Sequence, residues 1–279
     1  MNGNPNVASR VLDLATRVDG MVQGTPYTSR SSDIVTRLSG PLRVAIAGRV
    51  KAGKSTLLNA LVGERLAPTD AGECTRLVSW YRHGPTYDVA ANLLDGGRRD
   101  LSFTRGNGSL DIQLGGVSEH DVESLDIRWP SSALQQVTLI DTPGLASIND
   151  ENSRRTRDFL EFDVNRPTDA DAVIYLMRHL HRSDVEFLDA FMDRSVTAAS
   201  PVNAVAVLSR ADEIGAGRID AMESAARIAR RYRTDPDVQG LAATVVPMAG
   251  LLAETGLTMR EDEAAALRTL ASAPEADLD

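Results

Sequence analysis

A single cysteine, Cys74, stands in 279 residues, so no disulfide can close within the chain. That suits a reducing compartment, and the thiol reads as a small filler. The longest apolar run, Ala172 to Met177, is far too short to span a bilayer. Met1 to Arg10 is polar and lacks the apolar stretch of a secretion signal. The chain is therefore expected not to cross a membrane, while binding to a membrane surface stays open. Positive charge is scarce too: 30 Lys and Arg against 39 Asp and Glu leave a net charge of −9. Such a chain repels phosphate at long range, which counts against generic nucleic-acid binding. Its four histidines, His83, His120, His179 and His181, do not combine with carboxylates or thiols into a metal pattern. There is no internal repeat and no low-complexity linker.

What is present is an ordinary folding composition, 42% hydrophobic and 25% charged. It allows one large domain, or one domain with a small appendage. Val7, Val11, Leu14, Val18 and Met21 recur at helical spacing, which predicts an amphipathic helix from Asn6 to Val22. Ser31 and Ser32 read as caps of a second short helix bearing Ile34 and Leu38. Strands are expected at Leu42–Ala47, Leu77–Arg82, Tyr87–Leu94, Asp100–Thr104, Leu125–Trp129 and Gln136–Ile140. The turn Asp95-Gly96-Gly97 pairs the third of these with the fourth as a hairpin. Strand and helix then alternate: strands at Asp171–Met177, Asn203–Leu208 and Ala243–Val246, helices at Asp184–Met192, Ile219–Tyr232 and Glu261–Leu270. That rhythm predicts an α/β fold, a mainly parallel sheet with helices on both faces. The tail after Ala273 is acidic and is expected to fray.

Gly48 to Ser55 reads G-R-V-K-A-G-K-S, between a buried strand and a helix, as a phosphate-binding P-loop requires. Backbone N–H groups of Gly48, Arg49, Val50, Lys51, Ala52 and Gly53 can form an anion nest, and the helix start adds its dipole. Lys54 would place an ammonium on the outer phosphates, Ser55 a hydroxyl on magnesium, and Thr56 continues the helix start. Asp141-Thr142-Pro143-Gly144 ends the strand V-T-L-I; Asp141 suits magnesium through water, and Gly144 suits the terminal phosphate. Ser209-Arg210-Ala211-Asp212 follows the strand V-A-V-L. At this place GTPases carry Asn or Thr, then Lys, any residue, and Asp. Asp212 would read guanine's ring N–H and amine, which adenine cannot supply. Arg210, in place of the lysine, could stack on the purine. Thr75 is the candidate to complete the magnesium shell, with Thr69 its rival. Met248 and Ala249, after the last strand, stand where a backbone N–H meets the guanine carbonyl.

With these motifs in order, the stretch G-R-V-K-A-G-K-S-T-L-L-N-A-L-V-G-E resembles the bacterial dynamin-like GTPases, above all the isoniazid-inducible dynamin-like proteins of mycobacteria. A-P-T-D-A-G-E-C-T-R fits their switch region. The resemblance covers about Leu42 to Gly250. It implies a P-loop NTPase fold of the Ras-like and dynamin-like kind, GTP and GDP as substrate and product, and magnesium as cofactor. It also implies a dynamin-like domain over residues 41–258 and a helical neck over 1–40. Residues 259–279 are expected to return to that neck and end in the acidic tail.

Departures from that pattern stand out at the catalytic positions and in length. Val50 occupies a P-loop position where dynamins often carry a catalytic polar residue. Lys51 lies where guanylate-binding relatives hold an arginine finger, and is a candidate to supply charge to the transition state. Leu145 stands where small GTPases keep a water-positioning glutamine, so intrinsic hydrolysis should be slow unless a partner completes the site. Beyond the sheet, a short neck rather than a lipid-binding stalk is expected. The expected partners are a second copy across the GTPase face, related dynamin-like chains, and membrane lipid through a stalk expected to be missing here. The expected location is the cytoplasm, peripherally at the inner face of the plasma membrane. Competing readings are a nucleotide-gated switch with negligible hydrolysis, an ATP-dependent P-loop enzyme and a ribosome-assembly GTPase.

Overall fold

The computed structural model describes residues 6–67, 77–106, 109–143, 169–191, 201 and 203–273. Its centre is a nine-stranded sheet in the order β11-β10-β9-β1-β8-β2-β7-β3-β4. The strands are β1 (Leu42–Gly48), β2 (Val78–His83), β3 (Asp88–Leu93), β4 (Arg98–Asp100), β7 (Val122–Trp129), β8 (Val137–Asp141), β9 (Ala172–Met177), β10 (Ala204–Ser209) and β11 (Thr244–Met248). From β11 through β10, β9 and β1 to β8 every pairing is parallel. Beyond β8 the sheet is mixed: β2 and β7 are parallel to each other, and the pairings of β8 with β2, β7 with β3 and β3 with β4 are antiparallel. The expected mainly parallel α/β sheet is present.

Why β1 lies at the centre can be read from its residues. Val44 and Ile46 enter one core with Leu57, Leu58 and Val62 of α3 (Lys54–Val62). Ala45 and Ala47 enter the other, with Leu188 of α4 (Arg182–Phe191) and with Ala225 and Ala229 of α5 (Ala221–Arg233). A strand buried on both faces needs a continuous apolar run, and L-R-V-A-I-A-G supplies it from Val44 onward. At the start of α4, buried Asp184 accepts from the Tyr175 hydroxyl at 2.6 Å and from the His181 N–H at 2.9 Å. No helix of the described residues is long and apolar enough to cross a membrane.

The N-terminal pair is α1 (Val7–Val22), capped by Asn6, and α2 (Thr28–Ser39). Ser31 and Ser32 lie inside α2, so they are not its caps. Ser32 Oγ instead donates to Asp19 Oδ1 at 3.0 Å, tying the two helices together. The joint to the sheet is Asp171, immediately before β9. It pairs with Arg37 of α2 and Arg43 of β1, each at 2.8 Å. Burial pushes its carboxyl up, but hydrogen bonds from Arg43 and Arg37 outweigh this and hold it down at about 2.

The hairpin expected across Asp95-Gly96-Gly97 forms, but its second strand is Arg98–Asp100 rather than Asp100–Thr104. Leu101 is the reason. It is buried, and its N–H donates to the Val89 carbonyl at 2.8 Å. The chain then leaves the sheet as β5 (Ser102–Gly106) and pairs with β6 (Ser109–Gln113), whose Leu110 and Ile112 reach the core. A further helix unannounced by the sequence, α6 (Gly250–Thr258), packs on α3. Its two glycines hide the helical signal. An added Cβ on Gly250 would meet Thr56 Cγ2 at 3.6 Å, an ordinary contact, so α6 lies against α3 without a clash demanding glycine there. Pro247 and Met248 fall within β11 rather than after it; β11 is an edge strand, where a missing N–H is tolerated. The last helix is α7 (Glu261–Ala271).

Candidate functional site

The P-loop leaves β1 at Gly48. The β1–β9 register puts Gly48 beside Leu176, and the β1–β8 register puts Ile46 beside Asp141. The loop and Asp141 therefore leave the sheet at the same carboxyl end, where α/β folds bind ligands. Gly48 has φ 147°, and an added Cβ would run into the Leu176 carbonyl. Gly53 has φ 95° and caps α3, with open space where its side chain would be. Lys51 adopts φ 62°, a left-handed backbone without glycine's freedom.

Lys54 Nζ lies 3.5 Å from the Gly48 carbonyl, and Ser55 Oγ lies 3.5 Å from Asp141 Oδ2. The next residue locks this arrangement. Thr142 is buried, and its N–H and hydroxyl both donate to the Ile46 carbonyl, at 3.3 and 2.9 Å. Burial pushes the Asp141 carboxyl up to about 6, against the opposing pull of Lys54, Ser55 and the Thr142 N–H. Burial likewise lowers the Lys54 ammonium, and Asp141 resists it. Asp141 Oδ1 is buried and has no hydrogen-bond partner among the described residues. An ionisable oxygen kept short of donors, beside a hydroxyl, is a hard-oxygen seat for a cation. This donor set fits magnesium.

The second loop group comes from β10 and β11, whose register places Ser209 beside Met248. Ser209 is buried and donates to the Met177 carbonyl at 3.3 Å. Arg210 is left-handed, at φ 53°, and opens the short turn Ala211–Glu213 that holds Asp212. Its guanidinium reaches the Lys51 carbonyl at 3.2 Å, so the loop after β10 touches the P-loop directly. Met248 is half-buried and Ala249 buried at the adjacent strand end. Arg178 and Arg182, which flank His179 and His181, are both paired: Arg178 with Glu213 and Arg182 with Glu186, each at 3.1 Å. Thr75, its rival Thr69, Cys74, Gly144, Leu145 and the acidic tail lie outside the described residues. Sequence reasoning missed the Thr142 lock, although Thr142 sits inside the motif it used. It also missed Glu213, which no motif marks.

The model of the dynamin family matches residues 44–197, more than half of the chain, from within β1 to past β9. The chain belongs to the dynamin family. Among curated relatives, the isoniazid-induced protein IniC of Mycobacterium tuberculosis is 44% identical over 245 residues, 88% of this chain and 49% of its own length. A bacterial dynamin-like protein of Nostoc punctiforme is 29% identical over 150 residues, 50% of this chain and 20% of its own length. The chain thus spans about half, or less, of the curated relatives it matches. A solved structure of an oligomerised bacterial dynamin pair, described as sensing and tethering membranes over long range, aligns at a TM-score of 0.54. It shares 17% identity, with 97% of this chain and 40% of that one covered, a likeness of fold alone. This fold is that of a P-loop GTPase domain, as the dynamin family requires.

Proposed function

We propose that this chain binds GTP with magnesium and hydrolyses it to GDP and phosphate. The observation that carries the reading is the orphaned, buried Oδ1 of Asp141 between Ser55 and Lys54. In this reading the amides of Gly48 to Gly53 and the Lys54 ammonium hold the phosphates, and Thr56 extends the helix start behind them. Ser55 and Asp141 hold magnesium, joined on sequence grounds alone by Thr75, while Gly144 supports the terminal phosphate. When bound, magnesium offsets charge on the outer phosphate oxygens. Asp212 accepts from guanine, flanked by Ser209, Arg210, Met248 and Ala249. The chain's part is position and charge, since phosphoryl transfer to an in-line water needs little covalent chemistry. Lys51 is exposed at the loop's rim and is assigned the extra positive charge on the transition state. Residues 41–258 make the GTPase domain; 1–40 and 259–279 make a neck. Two copies pair across the nucleotide face, and membrane association at the inner face of the plasma membrane follows the family pattern.

Phosphate release measured at rising protein concentration tests this. A specific activity that climbs supports a pairing GTPase. A second reading, a nucleotide-gated switch, is favoured by Val50, which is apolar and 52% exposed within the loop and cannot orient water. Nucleotide binding with no release at any concentration would establish the switch. Tighter binding of ADP than GDP would remove Asp212 from its role. Lys51→Ala is expected to lower turnover at unchanged nucleotide affinity; unchanged turnover removes Lys51 from catalysis.

A further inference from the structure

A line of polar contacts joins the phosphate loop to the loop after β10, and the roles assigned above leave most of it unused. Arg210 Nη2 donates to the Lys51 carbonyl at 3.2 Å, and Arg210 Nη1 donates to Glu213 Oε1 at 2.8 Å. The other oxygen, Glu213 Oε2, accepts from Arg178 Nη2 at 3.1 Å. Both residues joined across the gap are left-handed, Lys51 at φ 62° and Arg210 at φ 53°. Neither is glycine, so each conformation is strained and persists only where its surroundings over-determine it. At Lys51 those surroundings are a turn bond from the Ala52 N–H to the Arg49 carbonyl, 3.1 Å, and the Arg210 guanidinium.

The Lys51 carbonyl is an acceptor inside a loop that must present donors to an anion. Directed at a phosphate it would repel; directed at a guanidinium it does not. Arg210 can keep it there only if its own long side chain is fixed, and Glu213 fixes it. The carboxylate is held in turn from the far side by Arg178, at the end of β9. These side chains are 38% (Arg210), 54% (Glu213) and 44% (Arg178) exposed, so their ion pairs add little to global stability. What the line contributes is geometry.

We infer that Glu213 is a positioning residue which, acting through Arg210, sets the shape of the phosphate loop and so the affinity for a di- or polyphosphate group whether or not a base is attached. The inference rests on the proposed nucleotide site and names a residue outside its motifs. It is tested by calorimetric titration of the full chain, unmodified and as Glu213→Ala, Glu213→Gln and Arg178→Ala, with magnesium–GDP and with magnesium–pyrophosphate. Glu213→Ala is expected to weaken both ligands about tenfold, the scale of one charge-assisted hydrogen bond. Glu213→Gln keeps an acceptor and should recover part of the loss on both; Arg178→Ala should show a smaller loss on both. The unfolding midpoint of each variant should stay at that of the unmodified chain. Weakened GDP binding with unchanged pyrophosphate binding overturns the inference, because Arg210 would then serve the base alone. Unchanged binding of both overturns it as well. An unmodified chain that binds pyrophosphate but does not prefer GDP to ADP sinks the guanine reading, while a tenfold pyrophosphate loss in Glu213→Ala still upholds the role of Glu213.

Discussion

Two aspartates at opposite ends of the sheet show two treatments of a carboxylate. Asp171 stands at the amino end of β9, ringed by donors from Arg37 and Arg43, and is held at about 2. Asp141 stands at the carboxyl end of β8 with one oxygen short of a partner, and burial pushes it to about 6. β1 runs between them, with Arg43 beside one and Ile46 beside the other. The difference separates construction from function. Asp171 is answered by the protein's own donors where it joins the helices to the sheet; Asp141, on the proposed reading, is left one donor short where a cation would sit.

The largest test strikes the Asp141 end through its neighbour. Lys54→Ala should weaken magnesium–GDP binding about a hundredfold, since a buried charge-assisted contact is lost; titration calorimetry reads it directly. Next is Asp141→Asn, which should act in opposite directions on binding and folding. Magnesium-dependent affinity should fall at least about tenfold, while the ligand-free chain gains up to about 3 kcal/mol because the carboxylate charge is no longer buried. Loss of both stability and binding would place Asp141 with the structural carboxylates and collapse the contrast. Asp171→Asn should do the reverse, costing about 1–2 kcal/mol in denaturant unfolding after allowance for its partial exposure. GDP affinity should stay within about twofold, a change worth under half a kcal/mol.

The smallest and most discriminating test is pH. Asp171 is depressed below its unfolded value, so its stabilisation is complete above about pH 4 and lost as pH falls towards about 2. Asp141 is raised, so the folded ligand-free chain holds its proton longer than the unfolded one. Its effect is destabilising and sets in as pH rises from about 4 through about 6. Magnesium–nucleotide affinity should climb across that same upper window, because the cation needs the ionised carboxylate. Unfolding curves and titrations from pH 3 to 7 would show whether stability and binding move in opposite senses above about pH 4.

Sequence legibility followed the same division. The P-loop, the Asp141 motif and the Asp212 turn are short and local, so their residues could be named from spacing alone. The alternation of strand and helix revealed the sheet, because β1, β9 and β10 are continuous apolar runs. Contacts between segments distant in the chain left no trace: Arg37 with Asp171, Thr142 with Ile46, Arg210 with Lys51. The split at Leu101 was hidden because β4 and β5 run on in sequence while serving different sheets. The α6 helix was hidden because Gly250 and Gly256 argue locally against a helix that packing on α3 supports.

The borders of the sheet carry a consequence of their own. At one margin β4 is three residues long, Arg-Arg-Asp, all exposed; at the other, Pro247 removes a donor from β11. Short, charged or proline-bearing margins discourage a neighbouring strand from zipping on. Copies of this chain are therefore poorly built to fuse into a continuous β-ribbon. The pairing of copies proposed above would then have to join side chains and loops rather than strand margins.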